Sequence, residues 1–113
     1  MSDGPLSITT SPMSTPEATV LVLAGPVVIV HLFQFQTRLR ELTTPLVVLD
    51  LSGVPYMDSS GLGAILNAFV SAQKNGRKVV LASVNERILA LLQLTKVDTI
   101  LKIHPDVPTA LAN

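Results

Sequence analysis

The sequence predicts an α/β domain with a mixed, partly parallel sheet. Two runs of strand length, Leu46 to Leu51 and Lys78 to Ala82, are predominantly apolar, as is typical of strands covered on both faces. Between them, apolar residues recur at helical spacing until Asn75-Gly76, where glycine can take the left-handed conformation that ends a helix. A strand, a helix and a second strand in this order imply parallel pairing with a right-handed crossover.

The other predicted elements extend this alternation to a four- to five-stranded sheet with about four helices. Residues 1–16 contain three prolines and are expected to be weakly structured, with Leu6 to Thr9 as a candidate edge strand. The remaining predicted elements are a strand at Thr19–Ala24, a helix over roughly 29–42, a helix starting at Ser59, a helix at Asn85–Leu94, a strand at Ile100–Ile103 and a terminal helix at Pro105–Leu111. The expected core residues are Val48, Leu49, Leu51, Ile65, Leu66, Phe69, Val80 and Leu81.

Composition argues against several classes of protein. The 113 residues have the length of a single domain, residues 1–113, and their 48% hydrophobic content is enough for a core. There is no cysteine, which rules out disulfides and thiolate metal sites. The net charge is zero without a basic stripe, which argues against nucleic-acid binding. The most apolar stretch, Val20 to Phe35, is shorter than the roughly 20 residues of a membrane span, so we expect a soluble, cytoplasmic protein.

The residues with the clearest chemical potential lie at the start of the helix that follows the first apolar run. Asp58 suits the N-cap, because its carboxylate can accept hydrogen bonds from the free amides of the first turn. Ser59, Ser60 and Gly61 occupy that turn, where unpaired amides and the helix dipole favour an oxyanion or a phosphate. Gly61 and Gly63 keep the turn slim, so the backbone of another protein could come close.

Competing interpretations of this segment are ordinary capping, nucleotide binding and catalysis. Local chemistry alone leaves simple capping open, since Asp-Ser-Ser is common at helix starts. Gly61-Leu62-Gly63 lacks the third glycine of a dinucleotide fingerprint. The nucleophile-elbow pattern Gly-x-Ser-x-Gly is absent, so a Ser59 nucleophile would lack its usual setting. The only histidines are His31, interpreted as structural, and His104, interpreted as a surface residue, so we expect no catalytic, metal or cofactor site.

A resemblance to a known family is carried by the run Leu46 to Gly63, Leu-Val-Val-Leu-Asp-Leu-Ser-Gly-Val-Pro-Tyr-Met-Asp-Ser-Ser-Gly-Leu-Gly. It resembles the core of the STAS domain family, in which a buried strand and a short loop lead through Asp-Ser-Ser/Thr-Gly-Leu into a helix. The bacterial anti-sigma factor antagonists are the best match within that family. The resemblance continues through Asn75–Leu81, Asn85–Leu89 and Leu94–Asp98, and so covers about two thirds of the chain.

The resemblance implies a mixed sheet with helices and a protein-binding switch that is not an enzyme. It places the phosphorylated serine at Ser59 and its acidic neighbour at Asp58, with Ser60, Gly61 and Leu62 completing the partner-binding segment. The implied protein is an anti-sigma factor antagonist that regulates transcription by partner switching. Unphosphorylated, it would bind the anti-sigma factor, an ATP-dependent serine kinase, and so release the sigma factor. Phosphorylation would end this binding, and a phosphatase would restore it.

Two departures from the family pattern lie between residues 25 and 35. Family members commonly carry Gly-Glu/Asp-Leu-Asp after the second strand, whereas this chain has Gly25-Pro26-Val27-Val28, so Val28 stands in place of the acid. The segment Val30 to Phe35 is more apolar than the family pattern suggests and could mark a self-association patch. These departures leave open a second function, that of a non-phosphorylated STAS scaffold subunit in a larger signalling or transport assembly.

Overall fold

The computed structural model of the chain describes residues 4–112, and its strands form one five-stranded sheet in the order β1-β2-β3-β4-β5. The strands are β1 (Ser7–Thr10), β2 (Ala18–Ala24), β3 (Leu46–Gly53), β4 (Lys78–Ala82) and β5 (Ile103–His104). The α-helices are α1 (Leu32–Arg40), α2 (Ser59–Lys74), α3 (Glu86–Leu94) and α4 (Val107–Ala112). Strands β1 and β2 are antiparallel and every other neighbouring pair is parallel, so the predicted mixed α/β fold is confirmed.

The central position of β3 in the sheet explains why its sequence is largely apolar. Val47, Leu49 and Leu51 point to the larger core cluster, which α1, α2 and α3 help to form. Val48 points to the opposite face and joins a smaller cluster that includes residues of α4. Because helices cover both faces, Val47, Val48, Leu49 and Leu51 are all buried, as expected for a central parallel strand, whereas Asp50 is partly exposed.

The buried residues of helix α2 combine small side chains with the larger Leu62 and Ile65. Gly61, Ala64 and Ala72 are buried along one side of the helix, and Ala68 is half-buried on the same side. Six of the eight expected core residues are buried, namely Val48, Leu49, Leu51, Ile65, Val80 and Leu81. Leu66 and Phe69 are only partly buried and pack against the larger core cluster.

The segment predicted as a helix over 29–42 begins with a 3-10 turn at Ile29–His31 and continues as α1. Ile29, Leu32, Phe33, Gln36, Leu39 and Arg40 recur near helical spacing, but this pattern does not mark the buried face of the segment. Phe35 is the fully buried residue of α1, whereas Phe33 is 79% exposed and Ile29 is 58% exposed. The 3-10 turn has fewer residues per turn than an α-helix, which shifts the phase of the following side chains.

The N-terminal and C-terminal segments differ from expectation in detail. The candidate edge strand forms one residue later than predicted, as β1, and Met1 to Asp3 lie outside the described residues. Residues 11–17 lack a strand or helix but are tied to β2, with Ser11 N donating to Val20 O at 2.8 Å. The predicted strand Ile100–Ile103 is shortened and displaced to Ile103–His104, because Leu101 N donates to Val97 O in a preceding helical turn.

Candidate functional site

The first turn of α2 is organised by the carboxylate of Asp58. Oδ1 accepts hydrogen bonds from Ser60 N at 3.0 Å and from Gly61 N at 3.1 Å. Oδ2 accepts from Ile29 N at 3.0 Å, on the segment that follows β2. Asp58 is therefore the N-cap, as predicted from its sequence position, and it also binds a second segment that capping rules could not foresee.

Ser59 is the first residue of α2, and its side chain is exposed. Ser60 and Asp58 beside it are half-buried. Gly61 and Leu62 are buried, and the Leu62 side chain is 5% exposed within the main core cluster. Of the five residues predicted to form the partner-binding segment, only Asp58, Ser59 and Ser60 therefore have side chains at the surface.

Gly61 allows a close contact between α2 and Val27 of the same chain. This corrects the expectation that Gly61 makes room for another protein. A Cβ at this position would collide with the carbonyl oxygen of Val27 and would lie 2.8 Å from Val27 Cγ1. A Cβ on Gly63 would meet no atom within 4 Å. Only glycine allows α2 to start this close to the Val27 backbone, whereas Gly63 faces open space.

The segment that follows β2 runs alongside the loop that leads into α2. Val27 N donates to Tyr56 O at 3.1 Å, and Asp58 N donates to Val27 O at 3.2 Å. Val28, which occupies the position of the family acid, is 7% exposed. Next to the Asp58 carboxylate, this chain therefore has a buried apolar side chain where the resemblance implies a charged one.

An exposed apolar surface adjoins this site. Ile29, Val30 and Phe33 are 58%, 74% and 79% exposed, and their spacing of three and four residues brings them to one side of the helical segment. We call these three residues the α1 apolar patch. It adjoins the α2 start because Ile29 N is bonded to Asp58. The apolar run from Val30 to Phe35 was the sequence signal for this surface.

The two histidines and Asp106 lie outside this turn. His31 Nε2 lies 2.8 Å from Gly4 O, which agrees with the interpretation of His31 as structural. His104 is half-buried in β5. The pKa of Asp106 lies below its usual value, mainly because its carboxylate accepts hydrogen bonds from Thr109 at the start of α4. Within residues 4–112, no three His, Asp or Glu side chains are grouped closely enough to hold a metal ion, and no helix has the length and apolarity of a membrane span.

The sequence was compared with models of known protein families. The model of the STAS domain family matches residues 11–110. The chain belongs to the STAS domain family. The observed fold, with Asp58-Ser59-Ser60-Gly61 at the start of α2, agrees with the resemblance noted from the sequence.

Curated relatives are named as antagonists of anti-sigma factors. The anti-sigma-B factor antagonist of Listeria monocytogenes is 36% identical over 55 residues, which cover 49% of this chain and 48% of that protein. The chain thus spans about half the length of this relative.

Two solved structures share the fold. An anti-sigma factor antagonist from Mycobacterium paratuberculosis has a TM-score of 0.86 at 17% identity, with 96% of this chain and 92% of that chain covered. The anti-sigma factor antagonist SpoIIAA in its unphosphorylated form has a TM-score of 0.77 at 16% identity, with 93% of each chain covered. SpoIIAA from Bacillus has also been solved in a phosphorylated form. At these identities, the two structures support the fold alone.

Proposed function

We propose that this STAS domain is a cytoplasmic anti-sigma factor antagonist that regulates transcription by partner switching, with Ser59 as the phosphoacceptor. Unphosphorylated, it binds an anti-sigma factor that is also its ATP-dependent serine kinase, and a phosphatase reverses the modification. The domain acts by binding and not by catalysis. The observation that carries the proposal is the exposed Ser59 at the capped start of α2, in a chain whose curated relatives are named as anti-sigma factor antagonists.

The geometry of the α2 start supports a switch that acts on binding and leaves the fold intact. A phosphate on Ser59 adds about −1.5 to −2 charges at neutral pH. Because Ser59 is exposed, the new charge remains hydrated in the free domain, and the helix dipole partly offsets it. In a complex, the same dianion must be desolvated or must face partner carboxylates, which weakens binding.

The α1 apolar patch supplies the other half of the proposed partner surface. Three exposed apolar side chains on one side of a helical segment are costly to leave in water and are typical of a protein contact. Phe33, the largest of them, suits the role of an aromatic anchor in the middle of an interface. Since Ile29 N is bonded to Asp58, one partner can cover both the patch and Ser59.

Phosphorylation of purified variants tests this assignment. The chain is incubated with ATP and the anti-sigma factor kinase encoded in the same genome, and the product is examined by mass spectrometry. We expect one phosphate on the unmodified chain and on Ser60→Ala, and none on Ser59→Ala. Ser60 is the matched control because it is the neighbouring hydroxyl in the same turn. Phosphate on Ser59→Ala, or its loss in Ser60→Ala alone, would contradict the assignment.

A second candidate function is that of a non-phosphorylated scaffold subunit in a larger signalling or transport assembly. The observation that favours it is the buried Val28 beside the α2 start, where the family pattern has an acid. A scaffold would bind its neighbours through the α1 apolar patch, and its assembly would be indifferent to ATP. Turnover of phosphate at Ser59 with a partner kinase distinguishes the antagonist from the scaffold.

A further inference from the structure

A cavity of about 270 Å³ opens between α1 and α2, away from Ser59. The α2 residues that line it fall between Ala64 and Ser71, about 8 to 18 Å along the helix axis from Ser59. Buried core residues, including Val47, Ala64 and Val79, form apolar walls. Its volume is slightly below the roughly 300 Å³ at which ordinary ligand pockets begin, so it suits a small molecule.

Two arginines give the cavity a positive charge. Arg40 is exposed and Arg77 is half-buried, and both line the cavity, whereas none of its lining residues within 4–112 is acidic. Arg77 Nη1 donates to Leu42 O at 3.0 Å, which fixes its guanidinium while leaving other N–H groups to donate. Among the described residues, the single ion pair joins Arg38 and Glu41. Within that part of the chain, neither Arg40 nor Arg77 therefore has a carboxylate partner.

We propose that this cavity binds a small amphipathic carboxylate. Its carboxylate would lie between the guanidinium groups of Arg40 and Arg77, which present paired donors that match a carboxylate. Its short hydrocarbon body would cover the apolar walls, including Val47 and Val79. Polar side chains at the cavity, such as Asn67 and Ser71, are exposed and can hydrate the mouth. This site goes beyond the proposed partner switching and does not depend on it.

The charge of the cavity favours this class of ligand over others of the same size. An alkyl ammonium of equal length would bring a third cation beside two guanidinium groups. A neutral alcohol would fill the apolar part but leave both cations without a counter-charge. Of these three head groups, the carboxylate satisfies both the charged and the apolar parts.

Titration of the whole chain with three six-carbon probes tests the proposal. Hexanoate, hexanol and hexylamine are added separately, and backbone amide shifts are followed by NMR. We expect saturable shifts with hexanoate at cavity residues such as Ala64, Ala68 and Val79. Hexanol should bind at least about fivefold more weakly and hexylamine at least about tenfold more weakly. Equal binding of the three probes, or saturable hexanoate shifts confined to another surface, would overturn the proposal.

Variants separate the cavity from a general attraction of anions. Arg40→Gln should weaken hexanoate binding at least about threefold, and Arg40 is exposed, so the fold should tolerate the change. Ala68→Leu should weaken it further by filling the cavity. The matched control is Arg87→Gln, which removes an arginine that lies 4.9 Å from the centre of the Tyr56 ring and does not line the cavity. Equal hexanoate affinities for the control, Arg40→Gln and Ala68→Leu would overturn the assignment.

Discussion

Two regions of α2 differ in how closely they pack. At its start, Gly61 touches the Val27 backbone, and Asp58 binds the amide of Ile29 on the neighbouring segment. Farther along, a cavity between α1 and α2 is lined by Ala68 and Ser71. The start of the helix therefore offers a fixed surface on which a modification changes the charge but not the shape. Beside the later turns, the cavity leaves room for a small ligand.

The largest effect is expected where the middle of α2 meets the sheet. Ile65 is fully buried, so Ile65→Ala removes core contacts and should lower the free energy of unfolding by about 2–5 kcal/mol in denaturant melts. Leu66 is the matched control, because it is the next residue and only partly buried. Leu66→Ala should cost clearly less than Ile65→Ala. A larger loss for Leu66→Ala would mean that the inner face of α2 is misassigned.

The close contact at the helix start is tested by two glycines of the same turn. Gly61→Ala places a methyl group against the Val27 carbonyl and should lower the unfolding free energy by about 1–3 kcal/mol. Gly63→Ala meets open space and should raise it by about 0.5–1 kcal/mol, because alanine favours the helix. Thermal melts of both variants measure the difference. Similar stabilities for the two would argue against a tight α2 start.

The double role of Asp58 predicts a smaller loss of stability. Asp58→Asn can keep one capping acceptor, but its amide group cannot also accept from Ile29 N. The loss should be about 0.5–2 kcal/mol, within the range measured for caps. Asp98→Asn, in the 3-10 turn after α3, serves as the control and should change stability by less than about 0.5 kcal/mol. An unchanged unfolding free energy for Asp58→Asn would show that the hydrogen bond to Ile29 N does not stabilise the fold.

The α1 apolar patch should affect partner binding while leaving stability almost unchanged. Phe33 is 79% exposed, so Phe33→Ser should alter unfolding by less than about 0.5 kcal/mol. It should weaken binding of the anti-sigma factor at least about tenfold in calorimetric titrations. Leu94 is 81% exposed on α3, and Leu94→Ser is the matched control that should bind normally. If both variants bind alike, the patch is not part of the interface.

Local chemistry explains which features the sequence could predict. The strand β4 was predicted correctly from its short apolar run. The start and end of α2 were predicted correctly because Asp58 and Gly76 act through rules that involve only neighbouring residues. The burial of Phe35 and the exposure of Phe33 could not be predicted, since the phase of α1 depends on the 3-10 turn before it. The role of Gly61 depends on Val27, which is distant in sequence, and the cavity depends on how two helices are placed.

The affinity of three forms of the chain for the anti-sigma factor tests the central claim most directly. Isothermal titration compares the unmodified chain, the Ser59-phosphorylated chain and Ser59→Ala at one salt concentration. We predict that Ser59→Ala binds like the unmodified chain, within about twofold. The phosphorylated chain should bind at least about tenfold more weakly, or about 1.4 kcal/mol, because its exposed dianion must be desolvated. Equal affinities for all three forms would contradict the switch at Ser59 and favour the scaffold.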